Sequence, residues 1–272
     1  MKEKRMIQRT IEISAEGKKA QMTGYFLENI PGVVQGSRPA VIICPGGGYE
    51  HLSPREAEPV ALQFNARGFH ACVLRYSVAP AVYPQALLEL AKAVGWVRRH
   101  AAQYSVDEKK VIVCGFSAGG HLACSLGTFW QEKWLDEKLG EESLWRRPDG
   151  LILGYPVITS GEYAHRASFE RLTGGDRSLE EGLSLENCIT ENMPPVFLWH
   201  TCEDTSVPVE NSLLLAGALR RENISMEMHL FPKGPHGLAL GNEETAMEGR
   251  EGQIQPQVQC WIDLAAKWIR ML

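Results

Sequence analysis

A serine hydroxyl is a poor nucleophile at neutral pH unless a base takes its proton. Ser117 lies in Gly115-Phe116-Ser117-Ala118-Gly119, a G-x-S-x-G pentad inside VIVCGFSAGGHLA. With Gly and Ser each at roughly 7% usage, the pentad arises by chance in about one chain in ten of this length. Its setting carries more weight than its letters. An apolar run of strand length, 111–114, precedes it, and a helix-like stretch, 118–130, follows. The serine therefore falls on a strand-to-helix turn that raises its hydroxyl above a sheet. Gly115 and Gly119 allow neighbouring backbone to approach, and the helix N-terminus favours negative charge near the serine.

In such an arrangement the acid and then the base follow the serine along the chain. His51, His70, His100, His121 and His165 do not follow a late strand, and His200 and His229 lie inside apolar runs, where packing is expected. His236 sits in FPKGPHGL, a Gly- and Pro-rich loop directly after the run 226–231, and is the expected general base. Asp204 in HTCEDTSVP, just past the run 196–200, is the expected acid that orients His236 and stabilises its cation. Glu203 competes with it. Asp204 is preferred because it lies deeper in the turn before Pro208. Acyl transfer also requires N–H donors for an oxyanion. Pro45-Gly46-Gly47-Gly48-Tyr49, after the run 40–44, can fold back with bare N–H groups, and the N–H of Ala118 supplies a second side. A phosphate cradle is a weaker reading of this loop. No Lys-Ser/Thr follows, and a G-x-G-x-x-G pattern would need glycine at position 51, which is His.

The elements that must position these residues are visible as a rhythm. Runs 6–13 and 20–27 alternate partly and read as antiparallel strands joined by Ala15-Glu16-Gly17-Lys18. Runs 40–44, 71–75, 111–114, 151–154, 196–200 and 226–231 are mostly apolar throughout, which suits strands covered on both faces of a parallel sheet. Helices are expected over 54–67, 85–104, 118–130, 209–221 and 256–271. The first would be opened by a capping box of Ser53 and Glu56 with Pro54 at its first position. The fold class is therefore α/β, a mostly parallel eight-stranded sheet with helices on both faces. Residues 1–272 read as a single domain. Two segments break the rhythm: 131–148, charged with Trp134 and Trp145, and 159–195, long, polar and Gly-rich, a lid-like insertion in this reading.

Composition limits the alternatives. The 272 residues carry 28 basic and 33 acidic side chains, a net charge of −5, with 44% apolar and 22% charged residues. That profile suits a globular protein and argues against nucleic acid or an anionic membrane as partner. No run approaches the ~20 apolar residues of a membrane span. The N-terminus opens with charges and no apolar stretch behind them, so a cytoplasmic location is expected. The seven cysteines are scattered and lack metal-like spacing, and no cofactor or metal is expected.

CPGGGYEHLSPREAEPVA, VLRYSVAP, GFSAGGHLA, HTCEDTSVPVENS and FPKGPHGL, in this order, resemble the α/β-hydrolase-fold serine esterases, most closely the bacterial acetyl-esterase and acetylxylan-esterase-like group. The resemblance covers nearly the whole chain. It implies Ser117 as nucleophile, Asp204 as acid and His236 as base, with Gly47, Gly48 and Ala118 at the oxyanion-hole positions. Many relatives have His where this chain has Pro45. It further implies a small-molecule ester substrate, in particular acetyl groups on small carbohydrates such as xylo-oligosaccharides. Tyr49, Tyr155, Pro156 and Trp130 are candidates to line the pocket. The alternatives are a general carboxylesterase, a lipase-like enzyme or a peptidase-type hydrolase on the same fold. A non-catalytic scaffold is the least favoured, because all three triad types are present. A homo-oligomer is carried as an alternative to a monomer.

Overall fold

Alternate residues of an extended chain face opposite sides of a sheet, so a strand covered on both faces must be apolar at every position. The computed structural model, which describes residues 6–30, 32, 33 and 35–272, shows this in its central strands. The basic opening Met1–Arg5 lies outside the described residues. The strands are β1 (Met6–Ala15), β2 (Lys18–Leu27), β3 (Arg38–Cys44), β4 (His70–Arg75), β5 (Val106–Phe116), β6 (Gly150–Gly154), β7 (Val196–Thr201) and β8 (Met226–Phe231). They form one eight-stranded sheet in the order β1-β2-β4-β3-β5-β6-β7-β8. β1 pairs antiparallel with β2 and β2 antiparallel with β4; every other pairing is parallel. This is the expected α/β-hydrolase arrangement.

The helices are α1 (Glu58–Ala66), α2 (Gln85–Arg99), α3 (Ala101–Tyr104), α4 (Ala118–Phe129), α5 (Lys133–Leu139), α6 (Ser143–Arg146), α7 (Arg166–Thr173), α8 (Glu210–Arg221) and α9 (Trp261–Met271). One apolar core joins Ala40, Ile42 and Cys44 of β3 to α2, α4 and α8. The other joins Val41 and Ile43 of the same strand to α1 and α9. In the first hairpin, Ala15 opposes Lys18 and both intervening residues, Glu16 and Gly17, have positive φ, the turn geometry that matches strand twist.

Several boundaries differ from the sequence reading. Residues 85–104 divide into α2 and α3 at His100, whose ring stacks on Trp96. Residues 131–148 carry α5 and α6, and the final helix begins only at Trp261. β8 is an edge strand and only partly buried, unlike the interior strands. The expected capping box is not formed. Pro54–Glu56 is a single 3-10 turn, Ser53 makes no side-chain cap, and α1 starts at Glu58. Glu56 instead turns inward, where its carboxylate accepts hydrogen bonds from Gly46 N–H and the Tyr155 hydroxyl.

Two buried histidines are neutral in this frame. His70 accepts from Leu27 N–H through Nδ1 at 3.1 Å and donates from Nε2 to the Ser105 carbonyl at 3.2 Å. His121 donates from Nε2 to the Leu183 carbonyl at 2.9 Å and accepts from the Tyr49 hydroxyl at 3.0 Å. Burial lowers both from 6.5 to about 4. Between those values the unfolded chain binds more protons, so their stabilisation is complete above pH 6.5 and is lost as pH falls toward 4. Thermal unfolding followed from about pH 7.5 to about pH 5 should show Tm falling below about pH 6.5. His70→Asn should flatten that fall while lowering Tm at the upper end. A flat Tm in the wild-type protein over this range would contradict the assignment.

Candidate active site

Ser117 joins β5 to α4 with φ +53° and ψ −121°, a conformation that costs an L-residue of order 1–3 kcal/mol unless its surroundings impose it. The surroundings here are specific. Ser117 N–H donates to the Gly154 carbonyl at 3.1 Å, and its own carbonyl accepts from His121 and Val157 N–H groups at 3.1 and 3.0 Å. A Cβ on Gly119 would lie 2.1 Å from the Cys44 carbonyl oxygen, so only glycine lets α4 start this close to β3.

The Ser117 hydroxyl lies 2.8 Å from Nε2 of His236, and Nδ1 of His236 lies 2.6 Å from Oδ2 of Asp204. Asp204 is buried and its carboxylate is saturated. Oδ1 accepts from the N–H groups of Ser206 and Val207 at 3.0 and 2.9 Å, and Oδ2 also meets Nε2 of His200 at 3.3 Å. Burial would raise its pKa. The hydrogen bonds from His200, His236 and Val207 and the charge of His236 outweigh burial and hold it well below the usual carboxylate range. Glu203 points the other way and accepts from Gly234 N–H at 3.3 Å, which steadies the base of the histidine loop. It is thus Asp204, and not its neighbour, that faces His236.

His200 is fully buried, as its apolar run predicts, but it also bonds directly to Asp204. Its Nε2 faces two acceptors, Asp204 and the Val207 carbonyl at 3.0 Å, so the proton resides there and Nδ1 accepts from the Ser212 hydroxyl at 2.7 Å. The four-residue spacing from Asp204 across a strand end was the one available signal, and the apolar run around His200 masked it.

A cavity of about 440 Å³ opens over Ser117 and His236, lined in part by Gly47 and Gly48. Gly47 has φ +128°, and a Cβ there would lie 2.1 Å from the His51 carbonyl oxygen. Ala118 is the first residue of α4, where helix N–H groups lack intrahelical partners. The 159–195 segment contributes α7 and three 3-10 turns; its His165, Ala167 and Arg171 form one wall of the cavity. Arg171 pairs with Glu50 of the glycine loop at 2.9 Å.

The other pocket candidates lie elsewhere. None of Tyr49, Tyr155, Pro156 and Trp130 is among the residues lining the cavity. The Tyr49 hydroxyl is bonded to His121, and the Tyr155 ring packs against that of His236 with its hydroxyl on Glu56. Pro156 abuts Gly120, and Trp130 donates to the Asn192 carbonyl at 3.0 Å. Tyr155 follows β6, where the rings of Trp199 and His236 draw it into packing. No group of three or more His, Cys, Asp or Glu side chains that could hold a metal occurs among the described residues.

The arrangement can relay a proton from a serine hydroxyl to a histidine whose cation is held by a carboxylate, beside unpaired N–H groups. It depends on the close approach at Gly119. Gly119→Ala should destabilise the fold by about 1–3 kcal/mol, the usual cost of overpacking. It should also slow labelling of Ser117 by a fluorophosphonate in the fraction that remains folded, as read by Tm and intact mass. Wild-type Tm and labelling rate in that variant would show that the elbow tolerates a methyl group.

Comparison with known proteins places this geometry in a lineage. The BD-FAE family model matches residues 29–147, and the prolyl oligopeptidase family model matches residues 177–250. The solved acetyl ester-xyloside bifunctional hydrolase from Caldicellulosiruptor lactoaceticus is 38% identical. The match covers 93% of this chain and 88% of that one, with a TM-score of 0.81. A carboxylesterase from Lactobacillus plantarum is 32% identical over 98% of this chain and 97% of its own, with a TM-score of 0.87. Endo-1,4-beta-xylanase B of Butyrivibrio fibrisolvens is 40% identical over 213 residues, 76% of this chain and 33% of that protein. The chain spans about a third to a half of the length of the first curated relatives it matches. Other matches are esterases and methylesterases of bacteria and plants. The chain belongs to the α/β-hydrolase-fold serine-esterase superfamily and is related to the bacterial acetyl and carboxyl esterases.

Proposed function

We propose that this chain hydrolyses short-chain carboxylic esters through an acyl-enzyme on Ser117. The observation that carries the reading is the continuous hydrogen-bonded line from the Ser117 hydroxyl through His236 to Asp204 at the floor of an open cavity. His236 takes the serine proton as the hydroxyl attacks the ester carbonyl. Asp204, held ionised, stabilises the imidazolium that results. The N–H groups of Gly47 or Gly48 and of Ala118 receive the oxyanion. The alcohol departs with the proton from His236, and a water then attacks the acyl group with His236 again as base.

The cavity supports a polar leaving group. Ala167 is the one lining residue whose side chain is apolar; glycines apart, the rest are polar or charged, among them Ser53, Arg171, Ser206 and Gln253. Such walls suit a hydroxylated alcohol and a short acyl group better than a fatty chain. Acetylated small sugars fit that description. The breadth of ester hydrolases among the relatives favours a carboxylesterase of wide substrate range that includes such esters over an enzyme confined to them. Residues 159–195 belong to the same domain as a wall of its site. The seven free cysteines suit a reducing compartment such as the cytoplasm. No helix among the described residues is long and apolar enough to cross a membrane.

Ser117→Ala should lose ester hydrolysis by on the order of a thousand-fold or more with Tm unchanged. Among nitrophenyl esters, acetate should exceed butyrate in kcat/KM and octanoate should be poor. Acetylated xylo-oligosaccharides should release acetate at rates comparable to small non-sugar acetates. A folded Ser117→Ala protein that retains most of the activity would reject the mechanism. A preference for octanoate would reject the short-chain assignment.

A further inference from the structure

We infer that Glu56 is a positioning residue that ties the oxyanion loop to the histidine loop through the two oxygens of its carboxylate. The inference rests on the proposed reading of the site. Glu56 is 2% exposed, in the 3-10 turn Pro54–Glu56. Oε2 accepts from Gly46 N–H at 2.8 Å, next to Gly47. Oε1 accepts from the Tyr155 hydroxyl at 2.6 Å, and the Tyr155 oxygen in turn accepts from Ala239 N–H at 2.9 Å, three residues beyond His236. The preceding residue grips the same loop from its other side: Arg55 Nη1 donates to the carbonyls of Gly237 and Thr245 at 2.8 and 2.7 Å. One tight turn thus holds the chain on both sides of the reacting centre.

The geometry shows why this matters to the reaction. Gly46 is pressed against the elbow: a Cβ built on it would lie 2.9 Å from Ser117 Cβ and 2.8 Å from Glu56 Oε2. Displacement of Gly46 therefore moves the Gly47 and Gly48 N–H groups relative to the Ser117 hydroxyl. The Tyr155 ring stands 5.0 Å from the His236 ring at 71°, so its anchorage fixes the plane of the imidazole. Burial and the adjacent Glu56 charge push the Tyr155 phenol well above its usual range, which keeps it a donor to the carboxylate. A carboxylate is costly to bury. Here both of its oxygens meet groups that belong to, or directly support, the two catalytic loops.

A misplacement of about 1 Å in such a site costs on the order of a hundred-fold in rate. Glu56→Gln keeps one acceptor and reverses the polarity of the other contact. It should lower kcat for nitrophenyl acetate by about ten-fold, and slow fluorophosphonate labelling of Ser117 in parallel, with KM within about two-fold and Tm nearly unchanged. Tyr155→Phe removes one hydroxyl and should do the same. The double variant should be no slower than the worse single one, because either change already cuts the line. If Glu56→Gln does not fold, Tyr155→Phe carries the test alone. A folded variant with wild-type kcat and labelling rate, a loss confined to Tm, or multiplicative losses in the double variant would each overturn the inference. Activity surviving in Ser117→Ala would instead overturn the reading of the site beneath it.

Discussion

The backbone at Ser117 is the constraint around which the site is assembled. Its positive φ is unfavourable by an amount comparable to one or two hydrogen bonds. Three backbone hydrogen bonds, to Gly154, His121 and Val157, offset that strain. The first reaches the end of β6, the second α4 and the third the chain leaving β6. The elbow is thus tied to β6, to the chain leaving it and to the first turn of α4. Gly119 lies against the end of β3 at a distance no side chain permits, so the glycine loop that follows β3 shares one wall with Ser117. Ser117 and the glycine loop are therefore set by the same packing.

Charge is placed with equal economy. Asp204 has four hydrogen-bond donors around two oxygens, two from backbone and two from imidazoles. Those donors overcome burial and keep the group ionised, so its charge is available to the imidazolium of His236. Glu203, one residue earlier, is exposed and makes only a 3.3 Å contact to Gly234. An exposed carboxylate is screened by water and contributes little. Adjacent residues of one type thus differ in role because one is turned into the protein by the Asp204 side chain's own bonds to Ser206 and Val207.

The sheet and the order of serine, acid and histidine could be read from the sequence because they rest on local rules. Apolar runs of strand length report two-sided burial, and the G-x-S-x-G pentad between a strand and a helix reports a forced turn. What could not be read depends on distant contacts. Ser53-Pro54-Arg55-Glu56 satisfies every local requirement of a capping box, yet Glu56 turns toward Gly46 and Tyr155, ten and ninety-nine positions away. Tyr155 and Pro156 follow a strand, as pocket residues in such folds do, but the rings of Trp199 and His236 surround Tyr155 and draw it inward. His200 reads as a packed strand residue because its hydrogen bonds to Ser212, Asp204 and Val207 are all met inside the core.

The 159–195 insertion raises a question that magnitudes can decide: what holds it over the site. Its visible link to the glycine loop is the Arg171–Glu50 pair, whose side chains are 31% and 59% exposed. An exposed pair of this kind contributes about 0–1 kcal/mol and weakens with salt. The same segment buries Phe169, Leu172, Leu183 and Leu185 in the core beneath α4 and α8, each at 6% exposure or less. Burial of a side chain of that size contributes roughly 1.5–3 kcal/mol. Apolar anchorage therefore exceeds the ion pair several-fold, and the wall formed by His165, Ala167 and Arg171 is held from below. The ion pair is then better understood as setting the polarity of the cavity rim than as a latch. The cavity over Ser117 is therefore walled by polar side chains whose backbone rests on buried apolar residues.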